Sequence, residues 1–379
     1  MDDRDFSNLT EEIIENAPAS VRKLSLFSWI CYGLGAVAAI LSIFFAVSES
    51  FADGFNQTVS AFLRAVLSYL TGWIPFSLAE YLVILIPVIL VALIAIGIRR
   101  YTATWHDVFI YCATVLSVVA LTLSVFALGF APGYHTTTLD RKLGIDRRDV
   151  SAEELYETAV ILAEKTNEES KNILYSQQTD FSVMPYDVNE LSKKLSAAYA
   201  SACDKYGFPQ KLNSRVKPVM LSKLMSYTHI TGVYSFFTGE ANLNVAFPDY
   251  TLPYTAAHEL SHQRGVARED EANFMAFLVC LESEDAYIRY SGYLNLYEYV
   301  SSALYSASPE LYAKVNRTVE TRVRLEMAAF GDFFDQYRDS VASEITETVN
   351  DTFLTLHGTE GTKSYGMVVD LAVAYYVSR

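Results

Sequence analysis

Residues 255–274 read TAAHELSHQRGVAREDEANF and hold two of the six histidines in a chain of 379 residues. On a helix, His258 and His262 are four positions apart and share one face, with their imidazoles near enough to grip a single ion. Glu259 follows the first histidine, where its carboxylate reaches a water on that ion without binding the ion itself. This is the arithmetic of zinc hydrolysis: the metal brings the water's pKa toward about 7, and the glutamate takes the proton as hydroxide attacks a carbonyl. A catalytic zinc needs a third protein ligand and one open position. Gly265 can take the left-handed conformation that ends a helix. A second helix, EDEANFMAFLVCLESE, then brings an acid from its first turn to the ion.

Glu269 and Glu271 compete for that third place. Two helical residues are about 200° apart, so only one faces the metal. Glu269 is the expected ligand, because Asn273 shares its face four residues on and is placed to hydrogen-bond a ligand histidine, while Ala272 and Ala276 let the two helices approach closely. Glu271 is then expected on the solvent side. A solvated charge run explains REDE alone, but not the two histidines at helical spacing with a glycine between them and the acids. Possible oxyanion stabilisers are His229, Tyr227, Tyr234, Tyr293 and Tyr297. His106, His135 and His357 have no partner spacing and receive no role.

Upstream, composition divides the chain. The first 134 residues hold 6 Lys/Arg and 10 Asp/Glu, whereas residues 135–379 carry 23 and 34. The second part is thus a polar, acidic domain lacking the basic clusters that phosphate backbones require, and nucleic acid is excluded as a partner. Four scattered cysteines, Cys31, Cys112, Cys203 and Cys280, form neither a disulfide framework nor a cysteine zinc site.

Residues 1–131 read as a transmembrane region with spans at about 24–47, 80–98 and 108–130, each near the roughly 20 residues a bilayer core needs. Arg22 and Lys23 precede the first span and Arg99 and Arg100 follow the second, so the N-terminus is expected to be cytoplasmic. Three crossings place residues 135–379 outside the cytoplasm of a multi-pass cell-membrane protein. The intervening TVSAFLRAVLSYLTGWIPF has too many polar interruptions to span. It suits a short interfacial helix or, equally, an amphipathic helix packed on the bundle.

The 135–379 domain is expected to be mostly α. Ser151 and Glu154 form a capping box, a helix runs from about Asn189 to Tyr206 and closes at Gly207, and Ser308-Pro309 opens a long helical tract. EANLNVAF, residues 240–247, alternates as a strand with one wet face: Glu240, Asn242 and Asn244. The fold class is therefore three N-terminal transmembrane helices plus a mostly α (α+β) soluble domain.

At the quoted motif the chain resembles zincin metallopeptidases of the gluzincin type, in which a second-helix glutamate lies in an E-x-x-A-[DN] pattern. Glu269, Ala272 and Asn273 supply those letters, although only six residues separate His262 from Glu269, fewer than in most gluzincins. Over most of its length, and most densely from Lys217 to Leu278, the chain also resembles the bacterial membrane proteins grouped as DUF3810. The resemblance implies a membrane-anchored Zn2+ metallopeptidase acting on a peptide or protein substrate, with Glu259 as general base and His258, His262 and Glu269 as ligands. It also implies that an edge strand beside the active-site helix pairs with substrate backbone, for which EANLNVAF is the candidate. The alternative is a zinc-binding sensor or assembly protein without turnover.

Overall fold

The computed structural model describes residues 22–207, 212–338, 340–357, 359 and 367–377. Among them are three helices long and apolar enough to cross a membrane: α1 (Leu26–Val47), α4 (Leu78–Arg100) and α5 (Trp105–Gly129). Between α1 and α4 lie α2 (Glu49–Phe55), a π-helical turn (Asn56–Ser60) and α3 (Ala61–Gly72). No residue of α4 is buried, although it is apolar on every side. Such a helix is at home only in lipid.

Two compact units emerge. One joins residues up to Val37 with Ile86–Leu123. Within it, the Tyr32 hydroxyl donates to the Ala113 carbonyl at 2.6 Å and Arg22 lies 3.3 Å from Asp107. Tyr111 packs where a side chain at residue 97 would stand, since a Cβ on Gly97 would come within 2.9 Å of its ring.

The other unit comprises Ala38–Leu85 and Ser124–Arg379. After α5 the chain forms α6 (Leu139–Leu143), α7 (Ala152–Ser170), the small β1 (Leu174–Tyr175) and β2 (Ser182–Val183), and α8 (Val188–Tyr206). The Ser151–Glu154 capping box is present, and Gly207 closes α8 with φ 69°. There follow β3 (Val216–Pro218), α9 (Ser222–Met225), β4 (Gly232–Ser235), β5 (Glu240–Leu243), α10 (Leu252–Gln263), α11 (Glu269–Leu281) and α12 (Ala286–Ala307). The chain ends with α13 (Pro309–Asn316), α14 (Thr321–Asp335), α15 (Val341–Leu356) and α16 (Val368–Val377). The core lies where α10, α11 and α12 meet, around the buried Leu260, Phe277 and Leu294.

One expectation is refined and one corrected. The helical tract that opens at Pro309 is present as three successive helices. Thr318 breaks it by turning both its amide and its hydroxyl to the Val315 carbonyl, at 2.8 and 2.7 Å, in competition with the helical ladder. EANLNVAF is a strand only over Glu240–Leu243, and every residue in it is buried. It is the centre of a sheet ordered β3-β5-β4, parallel to β3 and antiparallel to β4. Its alternation is real, but the polar face is dry, and each of its three polar side chains has a protein partner for at least one of its polar atoms. Glu240 accepts from the Leu78 and Ala79 amides at 3.1 and 2.8 Å and pairs with Lys217. The Asn242 amide donates to Val233 O and the Asn244 amide to Ile230 O.

The interrupted segment before α4 resolves likewise. α3 is amphipathic but inverted: Arg64, Ser68 and Thr71 are buried, whereas Phe62 is 67% and Trp73 79% exposed.

Candidate metal centre

α10 carries His258, Glu259 and His262 on consecutive turns, and α11 opens on Glu269. The chain reverses between them at Gly265, whose φ of 92° favours glycine. A side chain would not fit there, because a Cβ would lie 2.4 Å from Arg64 Nη2. The turn's carbonyls are held from outside: Asn56 Nδ2 donates to Gly265 O at 3.0 Å, and Arg64 reaches Arg264 O at 3.4 Å. His262 Nδ1 donates to Val266 O at 2.7 Å, which leaves Nε2 as its free ligand atom.

That nitrogen lies 2.9 Å from His258 Nε2, and Glu269 Oε2 lies 3.2 and 3.5 Å from His258 and His262 Nε2 respectively. Ligand atoms at about 2.0–2.1 Å from a tetrahedral ion stand roughly 3.3 Å apart, so the three distances suit one common ion. Glu269 Oε2 is buried yet has no aligned hydrogen-bond donor, and His258 Nδ1 is likewise unpartnered. Two imidazole nitrogens and a carboxylate oxygen converging on one point form a donor set that could hold a first-row divalent cation.

The local field agrees. Burial alone would raise the Glu269 carboxyl, but the His262 and His258 imidazoles hold it well below the usual carboxylate range. Burial works against charge on His262 too, and Glu269 overcomes it, raising the imidazole to about 9. A cation entering the cluster takes the place of that proton. Glu259 is only 4% exposed. Burial raises its carboxyl above the usual range, against the neighbouring histidines and a backbone hydrogen bond from Tyr234. β4 can pass this close only as glycine, since a Cβ on Gly232 would meet Glu259 Oε1 at 2.6 Å.

His258 and Glu259 line a cleft of about 800 Å³. Of the tyrosines and histidine proposed for oxyanion stabilisation, His229 lines it, with Nε2 2.8 Å from Tyr337 O. Tyr227, Tyr234, Tyr293 and Tyr297 are not among the described lining residues. Tyr227 packs on Tyr337, Tyr234 on Phe130 and Tyr293 on Phe277, while Tyr297 is buried in the core. The lining tyrosines are instead Tyr254 and Tyr299. Tyr254 was legible, four residues before His258 on the same helix. Tyr299 belongs to a polar stripe, Asn295, Glu298, Tyr299 and Ser302, at i, i+3, i+4 and i+7 of α12. Its phenol is raised to about 12, first by burial and then by the charges of Glu298 and Glu269.

The expected roles of two other side chains change. Glu271 does not face solvent: it is buried, accepting from the Leu139 amide at 3.0 Å and from Arg268 at 2.9 Å. Asn273 shares a hydrogen bond with Tyr299, and it is the Val266 carbonyl that orients His262.

A family model described as "Protein of unknown function (DUF3810)" matches residues 55–373. The chain belongs to the DUF3810 family. The matched region takes in α3, two of the three spanning helices and the whole His258, His262 and Glu269 cluster, so the bonds from Asn56 in the π-helical turn and Arg64 in α3 to the Gly265 turn lie inside the DUF3810 match. Neither the curated proteins nor the solved structures include a match to the chain.

Proposed function

We propose that this DUF3810 chain is a membrane-anchored, zinc-dependent metallopeptidase that hydrolyses peptide bonds outside the cytoplasm, with its N-terminus cytoplasmic and residues 135–379 as the catalytic domain. One observation carries the reading: two Nε2 atoms and a carboxylate oxygen lie within 3.5 Å of one another beside a buried glutamate that uses none of its oxygens on them. His258, His262 and Glu269 would hold the ion. When bound, zinc supplies Lewis acidity to water and to a substrate carbonyl.

The remaining work belongs to the chain. Glu259, with its carboxyl raised by burial, accepts a proton from water at its carboxylate and passes it to the departing amine. The Val266 carbonyl keeps His262 in one tautomer. Tyr299, which lines the cleft from α12, is placed to donate to a polarised carbonyl, whereas the Tyr254 hydroxyl donates to Asn273 O at 2.9 Å. For the edge-strand role, β4 replaces EANLNVAF: it is an edge of the sheet, and residues 230–232 leading into it line the cleft.

The test uses the full-length protein in detergent. Zinc content is measured for wild type and His262→Ala, and digestion of an unfolded protein is followed with and without chelator and for Glu259→Gln. About one zinc per wild-type chain, lost in His262→Ala, together with chelator-sensitive cleavage lost in Glu259→Gln, is expected. Zinc retained with no cleavage of any peptide would turn the assignment to a sensor or assembly protein.

A further inference from the structure

Two helices near the candidate metal site expose stripes of bulky apolar residues: α3 with its polar residues turned inward, and α15 beside exposed Glu344, Thr348, Asp351 and Thr352. On α3 the exposed set is Phe62, Val66, Tyr69, Leu70 and Trp73, at i, i+4, i+7, i+8 and i+11. On α15 it is Val341, Ile345, Val349 and Leu356, while Ser343, Thr346, Glu347 and Asn350, at i, i+3, i+4 and i+7, line the cleft. In a helix on a water-facing domain this arrangement is upside down, because the apolar stripe should face the core.

Both helices are fixed to the ends of spanning helices within the same compact unit. Ser60, at the start of α3, donates to Leu128 O, and Arg64 donates to Gly129 O at 2.8 Å, at the last residues of α5. At its other end Thr71 O accepts from Lys217, which pairs with Glu240, the acid that receives the first amides of α4. The far end of α15 stacks on the same end of α5: Phe353 and His357 pack against Phe126 with ring centroids 5.8 and 5.1 Å apart. The helices that carry the stripes therefore adjoin the last turn of α5 and, for α3, are linked through Lys217 and Glu240 to the first turn of α4. Trp73, at the end of α3, is the residue type enriched at the membrane–water boundary.

We propose that α3 and α15 lie in the headgroup region of the bilayer, so that the cleft opens at the membrane surface and receives the juxtamembrane segment of a membrane-anchored polypeptide. The substrate part of this inference rests on the peptidase reading above; the lipid contact does not. α3 then has two faces with two tasks. Its apolar face is seated in lipid, and on its polar face Arg64, with Asn56 of the preceding π-helical turn, holds the Gly265 turn that separates His262 from Glu269.

The experiment reads lipid contact by tryptophan fluorescence in the full-length protein reconstituted in phosphatidylcholine vesicles. The chain has three tryptophans, Trp29, Trp73 and Trp105. W29F/W105F leaves Trp73 alone on α3, and I345W in a W29F/W73F/W105F background reports α15. Strong quenching of both by lipids brominated near the headgroup, with little quenching by aqueous iodide, is expected. Iodide quenching without bromolipid quenching overturns the proposal, as does a signal neither reagent reaches, which would mean that protein, such as a second copy, covers these faces. In the second arm one peptide is offered free and tethered to the vesicle by an acyl chain. Cleavage of the tethered form about 10²-fold faster is expected from its effective concentration, and equal rates overturn the substrate class. If neither form is cleaved while bromolipids quench, the membrane seat stands and the peptidase reading fails.

Discussion

Two clusters of buried charge sit in the same domain and are built on opposite rules. Around Lys217 and Glu240 the bonding is closed: the lysine has the carboxylate and Thr71 O, and the carboxylate also takes two helix-start amides. Around His258, His262 and Glu269 it is open, with Glu269 Oε2 and His258 Nδ1 lacking aligned partners. A buried polar group without a partner costs about 1–3 kcal/mol and more when charged, a cost that a bound cation would relieve in the open cluster. The closed cluster holds the sheet to the first turn of α4; the open one is a group that could hold a metal ion. Glu269 and Glu271 repeat the contrast two residues apart, the first with Oε2 lacking an aligned donor and the second with Oε1 accepting from both the Leu139 amide and Arg268.

The sharpest way to break that contrast is to exchange the two acids. Glu269→Gln is expected to lose the metal and fall to background turnover, whereas Glu271→Gln keeps metal stoichiometry; zinc content by mass spectrometry decides. Within the open cluster, Glu259→Gln separates holding from reacting. It should retain zinc yet lose about 10²–10⁴-fold in kcat, read under saturating peptide.

In the closed cluster the expected loss is of stability rather than function. Lys217→Met strands the Glu240 carboxylate and should cost about 3–5 kcal/mol, while Lys217→Met with Glu240→Leu recovers much of it. Denaturant unfolding of the reconstituted protein measures both. Chelation extends the test: at a metal concentration of about 100 Kd the ion contributes roughly 2.7 kcal/mol. Adding chelator should thus lower the thermal midpoint of wild type and leave that of His262→Ala unmoved. The smallest effect is at the turn between the ligands. Gly265→Ala forces a side chain onto φ 92° against Arg64, with a strain of about 1–3 kcal/mol, and should weaken zinc affinity before it unfolds the domain.

What could be read from the chain alone is whatever a short window determines. The spans, the histidine pair, the Gly265 break and the Ser151 cap follow from runs and spacings of a few residues, because a helix repeats its own geometry every turn. Glu269 was also legible, through its phase on the helix relative to Asn273, although Asn273 serves another partner. The failures share a cause. Glu240, Asn242, Asn244, Glu271 and the polar face of α3 were assigned to water or left open because their type is polar, but each is buried against groups on other segments: Leu78 for Glu240, Val233 and Ile230 for Asn242 and Asn244, Leu139 for Glu271, and Gly129 and Arg264 for Arg64. Local periodicity says that a helix or strand has two unlike faces. Which face turns inward depends on whether the polar one finds partners, and that is set only when distant segments pack together.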